Sequence, residues 1–345
     1  MNTTISVAYI QTGIRASFSK VKYKDIAPKV GLLPTAQGAD IPVFPMFRAR
    51  LTSEVFRKII EDIDCLTAQY GTLRNHRNEE ARSRFLTAYF NRIVELFSGL
   101  ILNVPETLLE GRFATQGRIE YQYTLYGGVT VIFIEVKLDL GGPTERLNTY
   151  AQVIAECDAC ALANEQNGFD IPIIAVLCDG KSFSFFKYER PSPKGGAKPR
   201  FSMGKFPDGY EEEPIFEMSP GTAPRVFIQK TRRLCESLFY VFLSGYHTGL
   251  EGYCNLSMEE SKEESKSASK RDSTSGWHNA KNLAKAALDK AKEAWDLRKE
   301  NDQVRSKRSA EEALQILNKS VNEAPWKPGE DKCSEVYTDD IADVP

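Results

Sequence analysis

Three charged residues stand where they could hold a metal ion beside a phosphodiester. Glu120 follows Gly117-Arg118-Ile119, and Glu135 and Lys137 close the run Ile134-Glu135-Val136-Lys137. Gly127-Gly128 lies between the two segments and signals a hairpin. Paired strands would bring Glu120 and Glu135 within shared reach of one ion. Two carboxylates and the Val136 carbonyl make a hard, all-oxygen donor set of the kind Mg²⁺ or Mn²⁺ prefers. Lys137 is two residues beyond Glu135, so both side chains point to the same sheet face. A lysine there can position an attacking water or stabilise charge building on a phosphate. The spacing Glu-x-Lys is common by itself, and its structural alternative is a solvent-facing pair at a strand end.

The elements around these residues follow from periodicity. Leu51 to Tyr70 has helical spacing through Val55, Ile59, Ile60 and Ile63, and Gly71 ends it. A second helix is predicted from Glu79 to Phe97, with Leu86, Phe90, Ile93 and Phe97 on one stripe. Extending that stripe backwards puts Glu79 on the core face and Glu80 at its edge. Arg118 to Leu125 and Val129 to Leu138 read as strands, the second apolar on both faces and therefore central. Gly141-Gly142-Pro143 opens a helix from about Thr144 to Gln166, with Gln152 beside its main stripe. Ile171 to Cys178 and Ser182 to Tyr188 are strands joined by the Asp179-Gly180 turn. Pro224 to Tyr246 is a further helix.

This order resembles the PD-(D/E)XK nuclease superfamily, whose fold is a restriction-endonuclease-like core. The resemblance covers roughly Glu79 to Tyr188: an acid-bearing helix, an acid-bearing strand, a strand ending in Glu-x-Lys, a helix bearing Gln, and a closing strand. The Asp179-Gly180 turn into Phe183, Phe185 and Phe186 looks like a divergent fungal branch of that superfamily. The resemblance implies an α/β fold with a central mixed sheet flanked by helices. It implies Mg²⁺ or Mn²⁺ as cofactor, Glu120, Glu135 and Val136 as ligands, and Lys137 as the catalytic cation. Glu79 or Glu80 and Gln152 would be accessory. Glu120 departs from the usual Asp.

The totals allow one large domain with appendages. The chain has 345 residues, 41% of them hydrophobic, and a net charge of −2, so any surface for DNA or RNA must be local. Lys194, Lys198, Arg200 and Lys205, with no acid between Glu189 and Asp208, are candidates for a phosphate-tracking loop. Seven scattered cysteines read as reduced thiols, with Cys157 and Cys160 as small buried residues. His76, His247 and His278 are too scattered for a zinc site. No secretory pattern or membrane-length apolar run is present, which places the expected location in the cytoplasm or nucleus and excludes a membrane partner.

The expected organisation is an irregular segment over 1–50, with a short strand at Ile5 to Ile10, and the nuclease-like domain over 51–256. A disordered Ser/Lys/Glu linker over 257–275 comes next. Then come a helical segment over 276–322, whose Trp295 could dock on a protein partner or on the domain itself, and a disordered acidic end over 323–345. Two functions fit: a metal-dependent phosphodiester hydrolase, or a catalytically inactive nuclease-like fold that binds nucleic acid or protein. An unrelated α/β binding domain would be favoured if Glu120 and Glu135 lay far apart.

Overall fold

A mixed β-sheet carries the candidate residues and is covered on both faces. The computed structural model describes residues 14, 16–35, 37–125, 128–191, 198–218, 221–263 and 268–325. The expected Ile5 to Ile10 strand, the Tyr126-Gly127 part of the hairpin turn, Lys194 and residues 326–345 lie outside these.

Chain order begins with α1 (Tyr23–Ile26), β1 (Val43–Pro45) and α2 (Ser53–Tyr70). Thr52 caps α2 by accepting from the Val55 N–H at 3.4 Å, and Gly71 ends it at φ 76°. The single helix predicted from Glu79 to Phe97 is instead α3 (Glu79–Leu86), a 3₁₀ turn over Thr87–Tyr89, and α4 (Asn91–Glu95). Its aromatics are the reason. Tyr89, Phe90, Ile93 and Phe97 are all buried, and the Phe90 ring packs on Tyr121 and Tyr123 at 5.4 and 6.1 Å. A straight helix offers one stripe to one surface; the turn at Phe90 (φ −129°) lets both sides reach the core.

The next strands are β2 (Ile101–Asn103), β3 (Thr107–Glu110), β4 (Gln116–Ile119), β5 (Tyr121–Leu125) and β6 (Val129–Val136). Then come α5 (Pro143–Gln166), β7 (Ile173–Cys178), β8 (Ser182–Glu189), β9 (Arg200–Lys205) and β10 (Glu212–Pro214). The main sheet has the order β1-β9-β8-β7-β6-β5-β2, with β10 paired to β8. β6–β7 and β1–β9 are parallel and the other pairs antiparallel. The chain is therefore an α/β protein with a mixed sheet. The predicted strand Arg118 to Leu125 breaks at Glu120: β4 pairs with β3 in a separate two-stranded sheet, and β5 enters the main one.

α5 lies on one face of the sheet against Phe133, Ala175, Leu177 and Phe186. The opposite face, with Ile132, Ile134 and Val176, packs against α6 (Pro224–Glu263). Gly245, Gly249 and Gly252 let α6 approach the strands: a Cβ at Gly249 would sit 1.8 Å from Leu125 Cδ1.

Both flanking segments pack on the sheet domain. Phe18, Val21, Tyr23, Ile26 and Val30 cover the outer face of α5, so that helix is buried on two sides. At the other end, α6 runs through Glu263, so the boundary expected at 256 falls inside it. α7 (Ala268–Lys299) and α8 (Gln303–Glu323) pack onto α6 in the same core. Ala284, Leu288 and Ala291 of α7 are buried there. Trp295 lies beside Arg48, 5.3 Å from ring centre to guanidinium. Asn301 in the left-handed region (φ 64°) separates the two helices. Among the described residues, no helix is long and apolar enough to cross a membrane.

Candidate active site: a carboxylate and lysine cluster at the end of β6

Strand alternation aims Glu135 at α5. Ile132, Ile134 and Val136 belong to the core on the α6 side, and Phe133 to the core on the α5 side. Glu135 and Lys137 therefore share the α5 face with Phe133. The antiparallel register of β5 and β6 pairs Tyr121 with Ile134, so the next step places Glu120 opposite Glu135. Opposite residues of an antiparallel pair lie on the same face.

The contacts agree with this register. Lys137 Nζ lies 2.6 Å from Glu135 Oε1. Gln152 Nε2 donates to the same oxygen at 2.6 Å and to Glu156 Oε1 at 2.8 Å. Glu120 Oε2 accepts from the Val136 N–H at 3.0 Å, which ties the residue before β5 to the end of β6. Gln152 reaches the cluster from beside the main stripe because α5 is buried on both sides, and it is itself buried. Glu79, expected on the core face, is exposed at the start of α3, where only its charge bears on Glu135 and Lys137. Glu80 points away, its side chain exposed and bonded to Arg84 at 2.8 Å.

Glu156 was not singled out from the sequence. It is fully buried, and its Oε2 has no hydrogen-bond partner. The available signal was its position four residues after Gln152, one turn along the same helix face. Ser83 was also missed; one turn after Glu79 on α3, its hydroxyl meets the Tyr121 hydroxyl at 2.5 Å beside Glu120 and works against the upward shift of that carboxyl. Arg82 holds that helix in place. Its guanidinium donates to the carbonyls of Leu138, Asp179 and Leu73, the last two at 3.1 and 3.0 Å. Gly180 leaves room for it: φ is 76°, and a Cβ would lie 2.7 Å from the guanidinium carbon.

Burial sets the electrostatics. It pushes Glu120 up to about 7, with Glu135 adding to the shift and Ser83 and Val136 opposing it. It raises Glu135 too, against the pull of Lys137 and Gln152. Glu156 is driven well above the carboxylate range, first by burial and then by Glu135. Burial alone would lower Lys137; Glu135 beside it overrides that, and its net shift is upward. The arrangement favours a charged Lys137–Glu135 pair with Glu156 neutral.

As a metal site, the donor set is entirely oxygen. Among the described residues no three His, Cys, Asp or Glu side chains converge as a ready cage. Mg²⁺ does not require one, since it commonly takes one or two carboxylates and keeps several waters. Glu120 and Glu135 with the Val136 carbonyl fit that pattern in kind.

Lys198, Arg200 and Lys205 do not line this site. β9 runs parallel to β6, being antiparallel to β8 as β8 is to β7. Arg200 opens β9 and so lies at the sheet edge opposite Glu135, and Lys198 just before it donates to the Pro28 carbonyl at 2.8 Å. Lys205 ends β9 and pairs with Glu211 at 3.7 Å. A cleft of about 790 Å³ between the start of α5 and the ends of β8 and β9 includes Arg146, Tyr150, Tyr210 and Glu212, but none of Glu120, Glu135, Lys137 and Gln152.

A scan against protein-family models finds none that matches the chain, and a search of curated proteins finds no match. Among solved structures, the chain aligns with DrdV in a DNA complex determined by cryo-electron microscopy. The identity is 9% and the TM-score 0.26, with 79% of this chain and 24% of that chain covered. The chain thus spans about a quarter of that protein's length.

Proposed function

We propose that the chain is a metal-dependent phosphodiester hydrolase acting on DNA or RNA. The observation that carries this reading is the meeting of Glu120, Glu135, Lys137 and Gln152 at the end of β6. Glu120, Glu135 and the Val136 carbonyl would hold Mg²⁺ or Mn²⁺, which would supply charge neutralisation at the scissile phosphate. The protein's own groups do the rest. Lys137 places a positive charge where negative charge builds during in-line attack by water. Gln152 fixes the Glu135 carboxylate, and Glu156 fixes the Gln152 amide. Without the ion, burial keeps Glu120 protonated up to about pH 7; binding the cation would hold its carboxylate ionised. The alignment with DrdV is in keeping with a nucleic-acid ligand and carries no weight of its own.

One observation favours a second reading, a nuclease-like fold that binds without cutting. The cluster is satisfied from within: Glu135 is held by Lys137 and Gln152, Glu120 by a backbone N–H, and Glu135 is only 5% exposed. The deciding experiment is cleavage of single- and double-stranded DNA and RNA in Mg²⁺ and in Mn²⁺, beside Glu135→Ala and Lys137→Ala. The hydrolase reading expects cleavage by the wild type and a loss on the order of 100-fold or more in each variant. A wild type that binds nucleic acid with a steep salt dependence and cuts nothing transfers the assignment to the binding module.

A further inference from the structure

A second polar site lies away from the sheet edge, where the start of α2, the first turns of α6 and the start of α8 line a cleft of about 420 Å³. Four cations line it, Arg50, Arg232, Lys307 and Arg308, against one lining acid, Glu311. The residues come from distant parts of the chain, so tertiary packing assembles the cluster.

The inner pair is short of negative charge. Arg50 and Arg232 both bond one oxygen of Glu236, at 2.6 and 3.1 Å, so a single carboxylate serves two guanidinium groups. Arg232 also donates to the Leu51 carbonyl at 2.7 Å and packs on the Phe56 ring at 5.0 Å. Burial holds Arg232 below the usual guanidinium range, and Arg50 and Arg298 press it further down against the pull of Glu236. The outer pair is free to swing. Arg308 is 81% exposed and Lys307 68% exposed, held only by surface pairs to Glu312 and Glu311. Thr52 and Ser53 at the head of α2, and Gln303 and Val304 at the head of α8, complete the wall; the Thr52 hydroxyl caps α2 and the Asp302 carboxylate caps α8.

We propose that this cleft binds a terminal phosphate or pyrophosphate group. Arg50 and Arg232 would form its floor and Lys307 and Arg308 would close over it. Guanidinium pairs suit such a group because they donate two parallel hydrogen bonds to its oxygens. The volume suits a phosphate or diphosphate and not a duplex groove. The group could belong to a small phosphate ester or to the phosphorylated end of a nucleic acid. The site is independent of the proposed hydrolase chemistry.

The test is titration calorimetry of the full chain with pyrophosphate in EDTA, comparing wild type with a Lys307→Gln/Arg308→Gln double variant. Both changed residues are exposed, and equal melting temperatures without ligand check the fold. Binding by the wild type, weakened on the order of tenfold in the double variant and unchanged in Glu135→Gln, is the expected result. A 5′-phosphorylated oligonucleotide that competes with pyrophosphate, where its unphosphorylated twin does not, identifies a nucleic-acid end as the source. Failure of both to compete identifies a small ester. No binding of pyrophosphate, or equal binding by wild type and double variant, overturns the proposal.

Discussion

Glu120 is the side chain whose charge turns over near neutral pH, and that makes the cluster a term in stability. Its affinity for a proton is higher folded, at about 7, than the ordinary 4.5. The folded state therefore holds a proton that the unfolded state has released between those values. Stability from this group is fully present below pH 4.5 and is lost as pH rises through about 7. Glu120→Gln keeps an acceptor for the Val136 N–H and removes the titration. Its melting temperature should fall less than that of the wild type between pH 5 and pH 8, a difference on the order of 1–2 kcal/mol at the upper end. Parallel curves for the two proteins would show that Glu120 does not titrate as described. Glu156 allows a companion test. With its Oε2 unpartnered and the carboxyl neutral, Glu156→Gln should fold like wild type, whereas Glu156→Ala leaves Gln152 without one acceptor and opens a cavity. The alanine variant should lose about 2–3 kcal/mol by chemical denaturation. Glu120, Glu135 and Lys137 could be grouped from the hairpin pattern, but their exact register could not: counting straight from the Leu125–Val129 pair puts Ile134 opposite Glu120, and only an irregularity between Tyr123 and Thr124 brings Glu135 there. Glu156 was harder to find: its place one turn after Gln152 was visible, but that this side of α5 would also be buried was not.

At the level of elements, long periodic segments could be read and short ones could not. α2, β6, α5, β7 and β8 matched their expected places within a few residues, each having enough repeats to show its period. The three-residue strands β1, β2 and β10 carry no period, and they exist only because the sheet edge offers partners. The break between α3 and α4 was hidden for the opposite reason, since its aromatics satisfy a helical pattern while serving two surfaces. The glycines of α6 were also silent until β5 and β6 were beside them. Gly249→Ala decides between two effects of known size. Alanine favours a helix over glycine by about 1 kcal/mol, while a methyl forced against Leu125 and Val131 costs about 1–3 kcal/mol. The clash lies 1.8 Å from Leu125 and in the core, so net destabilisation and a lower melting temperature are expected. A raised melting temperature would mean that α6 shifts freely on the sheet.

For the whole molecule, the question is where the folding unit ends. Composition places the end near 256, because Ser, Lys and Glu dominate the residues beyond it and offer little to bury. The packing places α7 and α8 in the core that holds the sheet. Ala280, Ala284, Ala287 and Ala291 on α7 and Ala313 and Leu317 on α8 are buried, and small residues let the helices approach closely. Ser320 joins all three helices: its hydroxyl donates to the Ala280 carbonyl at 2.6 Å and meets the Tyr246 hydroxyl at 3.2 Å. Alanine stripes look weakly hydrophobic in a composition count, and their value is realised only when three helices close on each other. A chain ending at Glu263 would leave open to water the side of α6 that meets α7 and α8, including Tyr253, stacked on Trp277, and the Tyr246 hydroxyl. Burial of that surface with its partners on α7 and α8 is worth several kcal/mol at ~25 cal/mol per Å². The truncated chain should melt at least about 10 °C below the full chain, or aggregate on expression. Supplying a peptide that spans 268–325 should recover part of the difference. A truncated chain with an unchanged melting temperature would show that the helical pair adds nothing to the sheet domain. The boundary would then return to the end of α6.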